Sequence, residues 1–128
     1  MTVRADGQRV VMLVTSRETR RWVLPKGWPE KKLDPHELAA KEAFEEAGLE
    51  GEVGREPIGS YRYAKRRWNG RTVQCEVKVF PLAVERQLED WPERAERETG
   101  WFTPAEAAML VDESGLVALL LDLAAAET

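Results

Sequence analysis

The sequence has one cysteine and one histidine in 128 residues. With Cys75 alone, no intrachain disulfide and no cysteine metal cluster can form. The lone histidine, His36, has no serine or cysteine nucleophile paired with it, and it is expected to face solvent. Long hydrophobic runs are also missing. VVMLV ends after five residues, and LVALLLDLAAA is interrupted by Asp122. Both fall short of the roughly 20 apolar residues that cross a bilayer. The first residues, MTVRADGQRVVMLV, lack the apolar core of a signal peptide. Nor is there an excess of positive charge. Lys and Arg number 19 against 23 Asp and Glu, a net −4, which argues against a nucleic-acid polymer as partner. A cytoplasmic protein without membrane association is expected, and its oligomeric state is left open.

What is present is ordinary: 43% apolar and 33% charged residues, the balance of a folded chain. A length of 128 residues suits one domain, here residues 1–128, with a core large enough to need no staples. Residues 3 to 14 read as strand, with Asp6-Gly7 as a hairpin turn. VVMLV is apolar throughout, as in a strand covered on both faces. A polar turn, a short strand over 22 to 24 and a Pro/Gly loop follow. Asp34, Pro35 and Glu37 form a helix-start signature and Gly48 a stop, predicting a helix over 35 to 47. Asn69-Gly70 predicts a hairpin within 60 to 80. Its second arm alternates Val73, Cys75, Val77 and Val79 inward, which puts Cys75 in the core. LAVERQ reads as a strand edge before a long polar loop. Thr103–Glu106 opens a short helix to about Leu110, and a last helix spans about 114 to 126. Of the five tryptophans, Trp22 and Trp101 are expected in or near the core. The order predicts an α+β fold with an α/β/α layering.

The helix over 35 to 47 carries Glu42, Glu45 and Glu46 within five positions. At about 100° per residue, with Glu42 at zero, Glu46 falls near 40° and Glu45 near −60°. Ala40, Ala43, Phe44 and Ala47 lie on the opposite side. Surface helices often carry glutamates as mere solvated faces, yet like charges at i,i+4 repel. A hard divalent cation removes that repulsion. Mg²⁺ is typically held by one or two carboxylates together with substrate phosphates.

The flanks of this helix complete a pattern. The stretch LPKGWPEKKLDPHELAAKEAFEEAGLEG (24 to 51) resembles the Nudix box, G-x5-E-x7-R-E-U-x-E-E-x-G-U, with U a bulky aliphatic residue. Gly27, Glu42, Glu45, Glu46, Gly48 and Leu49 match at the required spacings. Leu33 stands where the box has its first glutamate, Lys41 where it has arginine, and Ala43 where it has an aliphatic residue. The resemblance implies a Nudix-like α/β/α sandwich, a mixed β-sheet between helices. It also implies Mg²⁺-dependent hydrolysis, with Mn²⁺ as an alternative, of a diphosphate linked to another group. It assigns metal binding to Glu42 and Glu46, a further ligand to the Gly27 carbonyl, and the general base to Glu45. Glu42 is the second catalytic candidate, and Glu45 an alternative metal ligand. Lysine in place of arginine keeps the charge and loses the bidentate fork that helps orient a catalytic glutamate.

The later stretch LEDWPERAERETGWFTPAEA resembles the diphosphoinositol polyphosphate phosphohydrolase branch. The Pro-Lys-Gly run at 25 to 27 also occurs in dinucleoside polyphosphate hydrolases. A small-molecule polyphosphate is therefore the expected partner, with Lys26, Trp28, Arg94, Arg97 and Arg67 as candidate substrate contacts. Nucleotide-sugar hydrolysis and a non-catalytic ligand-binding module are the competing readings.

Overall fold

The run Val10–Val14 is too apolar to leave either face wet, and the fold covers both. The computed structural model describes residues 2–4 and 9–126. Strand β1 (Thr2–Arg4) pairs antiparallel with β2 (Arg9–Thr15), so the expected first hairpin is present. Its turn at Asp6-Gly7 lies outside the described residues. From β2, Val11 and Leu13 enter one hydrophobic cluster and Met12 and Val14 another. That is the two-residue period of a strand feeding two layers.

Helix α1 (Pro35–Ala47) lies on the Met12/Val14 side, contributing Ala43 and Ala47. Helices α2 (Pro104–Leu110) and α3 (Ser114–Ala126) lie on the Val11/Leu13 side, contributing Ala107, Ala108, Leu116, Leu120 and Leu123. The sheet between them adds β3 (Trp22–Val23), β4 (Leu49–Val53), β7 (Leu82–Gln87) and β8 (Thr99–Phe102). Its order is β3-β2-β1-β7-β4, with β8 also on β2. Pairing is antiparallel except between β1 and β7, so the sheet is mixed. This is the α+β, α/β/α arrangement expected.

Some elements depart from expectation. LAVERQ is not an edge: β7 sits between β1 and β4. β4 and β8 were not anticipated, because LEGEV and TGWF show neither alternation nor a long apolar run. β4 forms because Gly51 lets the Ala83 carbonyl approach at a bulge between Glu50 and Gly51; a Cβ there would collide with it. The hairpin β5 (Gly59–Arg66) and β6 (Thr72–Val79) turns at Asn69-Gly70 as expected, with Gly70 at φ 81°. Among the described residues its two strands pair with each other alone, forming a second, two-stranded sheet. Cys75 is therefore half-buried rather than in the core. His36 is half-buried too, its ring 6.4 Å from that of Phe80.

Candidate active site

Helix α1 is fixed at both ends by its own sequence. The Asp34 N–H donates to the Glu37 carboxylate at 2.9 Å, with Pro35 in the first turn. Gly48 closes the helix at φ 70°, its N–H donating to the Phe44 carbonyl at 2.9 Å. The last turn of a helix leaves carbonyls without partners. Here the end of β7 and the segment after it supply them. The Gln87 amide donates to Ala47 O at 3.0 Å, Trp91 Nε1 to Glu46 O at 3.2 Å and Glu93 N–H to Glu45 O at 3.0 Å. The Trp91 ring covers Gly48 so closely that a Cβ there would strike it. This long-range cap folds residues 88–98 against the acidic face.

The result is a cleft of about 560 Å³. Lys26, Gly27, Trp28, Glu42, Glu46 and Arg97 all line it, together with Glu93. Glu93 went unnoticed in the sequence because its place depends on the cap just described. Glu45 does not line the cleft. It is half-buried beside it, 3.7 Å from the Lys41 ammonium, which also holds Glu30 at 2.7 Å. Arg94 lies over the Trp91 ring, its guanidinium carbon 5.8 Å from the ring centre, in a separate groove, and Arg67 is exposed at the hairpin tip. Leu33 lines an adjoining cavity of about 290 Å³ that shares Lys26, Gly27 and Glu42 with the cleft.

Glu46 is only 3% exposed, a carboxyl at the wrong end of a helix whose last turn carries no basic residue. The C-terminal end of a helix is its negative pole. Burial first, then the neighbouring Glu42, pushes the Glu46 carboxyl up to about 8, with Arg97 opposing. Arg97 lies 3.8 Å from Glu46 and donates to Glu93 at 2.8 Å and to the Thr15 carbonyl at 3.0 Å. Its side chain is 11% exposed and is already engaged by protein groups. Gly27 is tight against Glu42: a Cβ at Gly27 would collide with that carboxylate. The loop backbone and the two carboxylates thus converge at one point of the cleft.

Among the described residues no group of three or more His, Cys, Asp or Glu side chains forms a ready-made metal cluster. The donor set instead fits a hard cation that keeps waters and shares substrate oxygens, which asks for one or two carboxylates. The crowding of Glu42 and Glu46 supports the same fit, since a cation offsets the burial and like charge that push the Glu46 carboxyl up.

Comparisons with known proteins bear on family and fold. The NUDIX domain family model matches residues 1–120. Nudix hydrolase 12, mitochondrial, from Arabidopsis thaliana is 38% identical over 106 residues, covering 78% of this chain and 51% of that protein. Diphosphoinositol polyphosphate phosphohydrolase 3-beta from Bos taurus is 35% identical over 107 residues, covering 81% and 61%. The chain spans about half to three fifths of the length of these relatives. Among solved structures, a C. elegans Ap4A hydrolase binary complex superposes with a TM-score of 0.68 at 19% identity, covering 98% of this chain and 92% of that one. The fold is shared at that level.

Proposed function

The chain belongs to the NUDIX family, and from that premise we propose that it is a metal-dependent pyrophosphohydrolase. It cleaves a phosphoanhydride in a nucleoside- or inositol-linked polyphosphate, with diphosphoinositol polyphosphate the leading substrate class. The observation that carries this is the convergence of Glu42, buried Glu46 and the Gly27 backbone in one cleft. The 35% identity to a diphosphoinositol polyphosphate phosphohydrolase supports the substrate class.

Glu42, Glu46 and the Gly27 carbonyl would hold Mg²⁺, or Mn²⁺ in its place. When bound, the cation supplies polarisation of phosphoryl oxygens and offsets their charge. Lys26 lines the cleft from the loop and meets the polyphosphate oxygens. Trp28, 54% exposed, walls the same side. Arg97 fixes Glu46 and Glu93 in place. Arg94 and Arg67 lie outside the lining, so they contribute only through long-range attraction of an anion.

Glu45 remains the general base of this proposal, paired with Lys41 and one residue from Glu46. A second reading has a specific observation behind it: Glu93 lines the cleft and Glu45 does not. Glu45→Gln and Glu93→Gln separate the two, since only loss of the true base removes its limb of the pH–rate profile. No helix among the described residues is long and apolar enough to cross a membrane. A cytoplasmic location belongs to the same proposal.

The test is product release with Mg²⁺ from diphosphoinositol polyphosphate, diadenosine polyphosphates, ADP-ribose and nucleoside triphosphates. Turnover of the first and little of the others supports the reading. Preference for diadenosine polyphosphates would move the substrate class. Tight binding without turnover of any would make the domain a ligand-binding module.

A further inference from the structure

Lys26 is the cleft residue whose charge the polyphosphate reading uses most directly, and it is not free to wander. Its Nζ lies 3.7 Å from Glu113 Oε1 and 4.7 Å from the centre of the Tyr63 ring. Both side chains of the ion pair are largely covered, at 22% and 18% exposure. Glu113 immediately precedes α3, and its backbone carbonyl accepts the first helical bond, from Val117 N–H at 2.9 Å. The start of α3 is itself wedged against β5. A Cβ at Gly115 would stand 3.1 Å from both the Arg62 carbonyl and Tyr61 Cβ. A chain of contacts therefore runs from α3, on the far face of the sheet, to the loop that enters the site. The second oxygen of Glu113 and the Tyr61 hydroxyl are both buried without a hydrogen-bond partner among the described residues. A carboxylate oxygen buried without a partner is costly to keep, and among the described residues the cation paired with Glu113 is Lys26.

We propose that Glu113 is a positioning residue for the cleft: it holds the Lys26 ammonium against the Tyr63 ring so that it meets bound polyphosphate from a fixed direction. The inference rests on the polyphosphate reading of that cleft. Glu113 touches no substrate in this scheme and acts only through Lys26. A lysine left to itself is a flexible point charge with a large rotamer entropy, so fixing it lowers the cost of ordering at the moment of binding.

A double-mutant cycle over Glu113→Gln and Lys26→Ala tests this. Glu113→Gln keeps the shape of the side chain and is expected to lower kcat/KM about tenfold. Glu113→Asp, which keeps the charge, recovers part of that loss. In the Lys26→Ala background the Glu113→Gln change shrinks to less than about twofold. A loss of equal size in both backgrounds would overturn the proposal and make Glu113 a structural residue. The second readout needs no substrate: the rate of Lys26 acetylation by acetic anhydride, followed by mass spectrometry. Release from the Glu113 carboxylate makes Lys26 react several-fold faster in Glu113→Gln than in the unmodified protein. Equal rates overturn the positioning role. Absence of turnover in the unmodified protein overturns the hydrolase reading instead, and the acetylation rates still decide for or against Glu113.

Discussion

Replacing Glu46 by glutamine should stabilise the protein in chelator at alkaline pH, although it removes a residue assigned to the active site. Glu46 is buried at the C-terminal end of α1, next to Glu42, and its carboxyl is pushed up to about 8 from an ordinary value of 4.5. Between those values the folded state binds a proton that the unfolded chain has released. Stability therefore falls as pH rises through that window, because the native state holds more protons than the unfolded one. Below about pH 4.5 the carboxyl is neutral in both states and the variant should match the parent. A tenfold difference in proton affinity between the folded and unfolded states corresponds to about 1.4 kcal/mol. The cleft admits water, so we expect about 2 kcal/mol of the effect to appear. For a domain of this size that is roughly 6–10 °C in melting temperature. The assay is thermal unfolding of both proteins in chelator at pH 5 and pH 8.5. The gap should open in favour of Glu46→Gln at the higher pH, and Mg²⁺ should close it by stabilising only the parent. A parent that is the more stable protein at pH 8.5 without cation would refute the reasoning.

Gly27→Ala drives a methyl group into the Glu42 carboxylate, so activity should fall more than about tenfold while the melting temperature changes little; enzyme kinetics beside thermal unfolding checks both. Trp91→Ala uncovers Gly48 and leaves the Glu46 carbonyl without its indole donor. It should destabilise by about 3 kcal/mol in denaturant titration and raise amide exchange over 88–98. Lys41→Ala frees Glu45 from its 3.7 Å partner and should lower kcat with no measurable stability change, since Lys41 is exposed; Lys41→Arg should restore kcat.

Where signals are local, the fold was legible in the sequence. The capping residues around α1 and the Asn69-Gly70 turn act over a few positions, and both elements formed where expected. So did the two-faced burial of β2, since five adjacent apolar residues leave no wet side. β4 and β8 were hidden because each is held by its partner strand rather than by its own pattern. β7 is interior because β1 and β4 flank it, which its own sequence does not signal. In the site, helical periodicity placed Glu42 and Glu46 on one side of α1 and the structure puts both in one cleft. It gave no hint that Glu46 is buried or that Glu93 arrives beside it. Both facts follow from the return of residues 88–98 to cap the helix, a contact about 45 residues away along the chain. Arg97, a candidate substrate contact from the sequence, lines the cleft, and its engagement with Glu46, Glu93 and Thr15 is visible only in three dimensions.

A cation held in the Glu42–Glu46–Gly27 cleft is the central claim. Mn²⁺ binding followed by electron paramagnetic resonance, in the parent protein and in Glu42→Gln and Glu46→Gln, with and without inorganic tripolyphosphate, tests it directly. One Mn²⁺ per chain, tightened by tripolyphosphate and lost in both variants, is the predicted result. No binding in the parent, or binding that both variants retain, would contradict it.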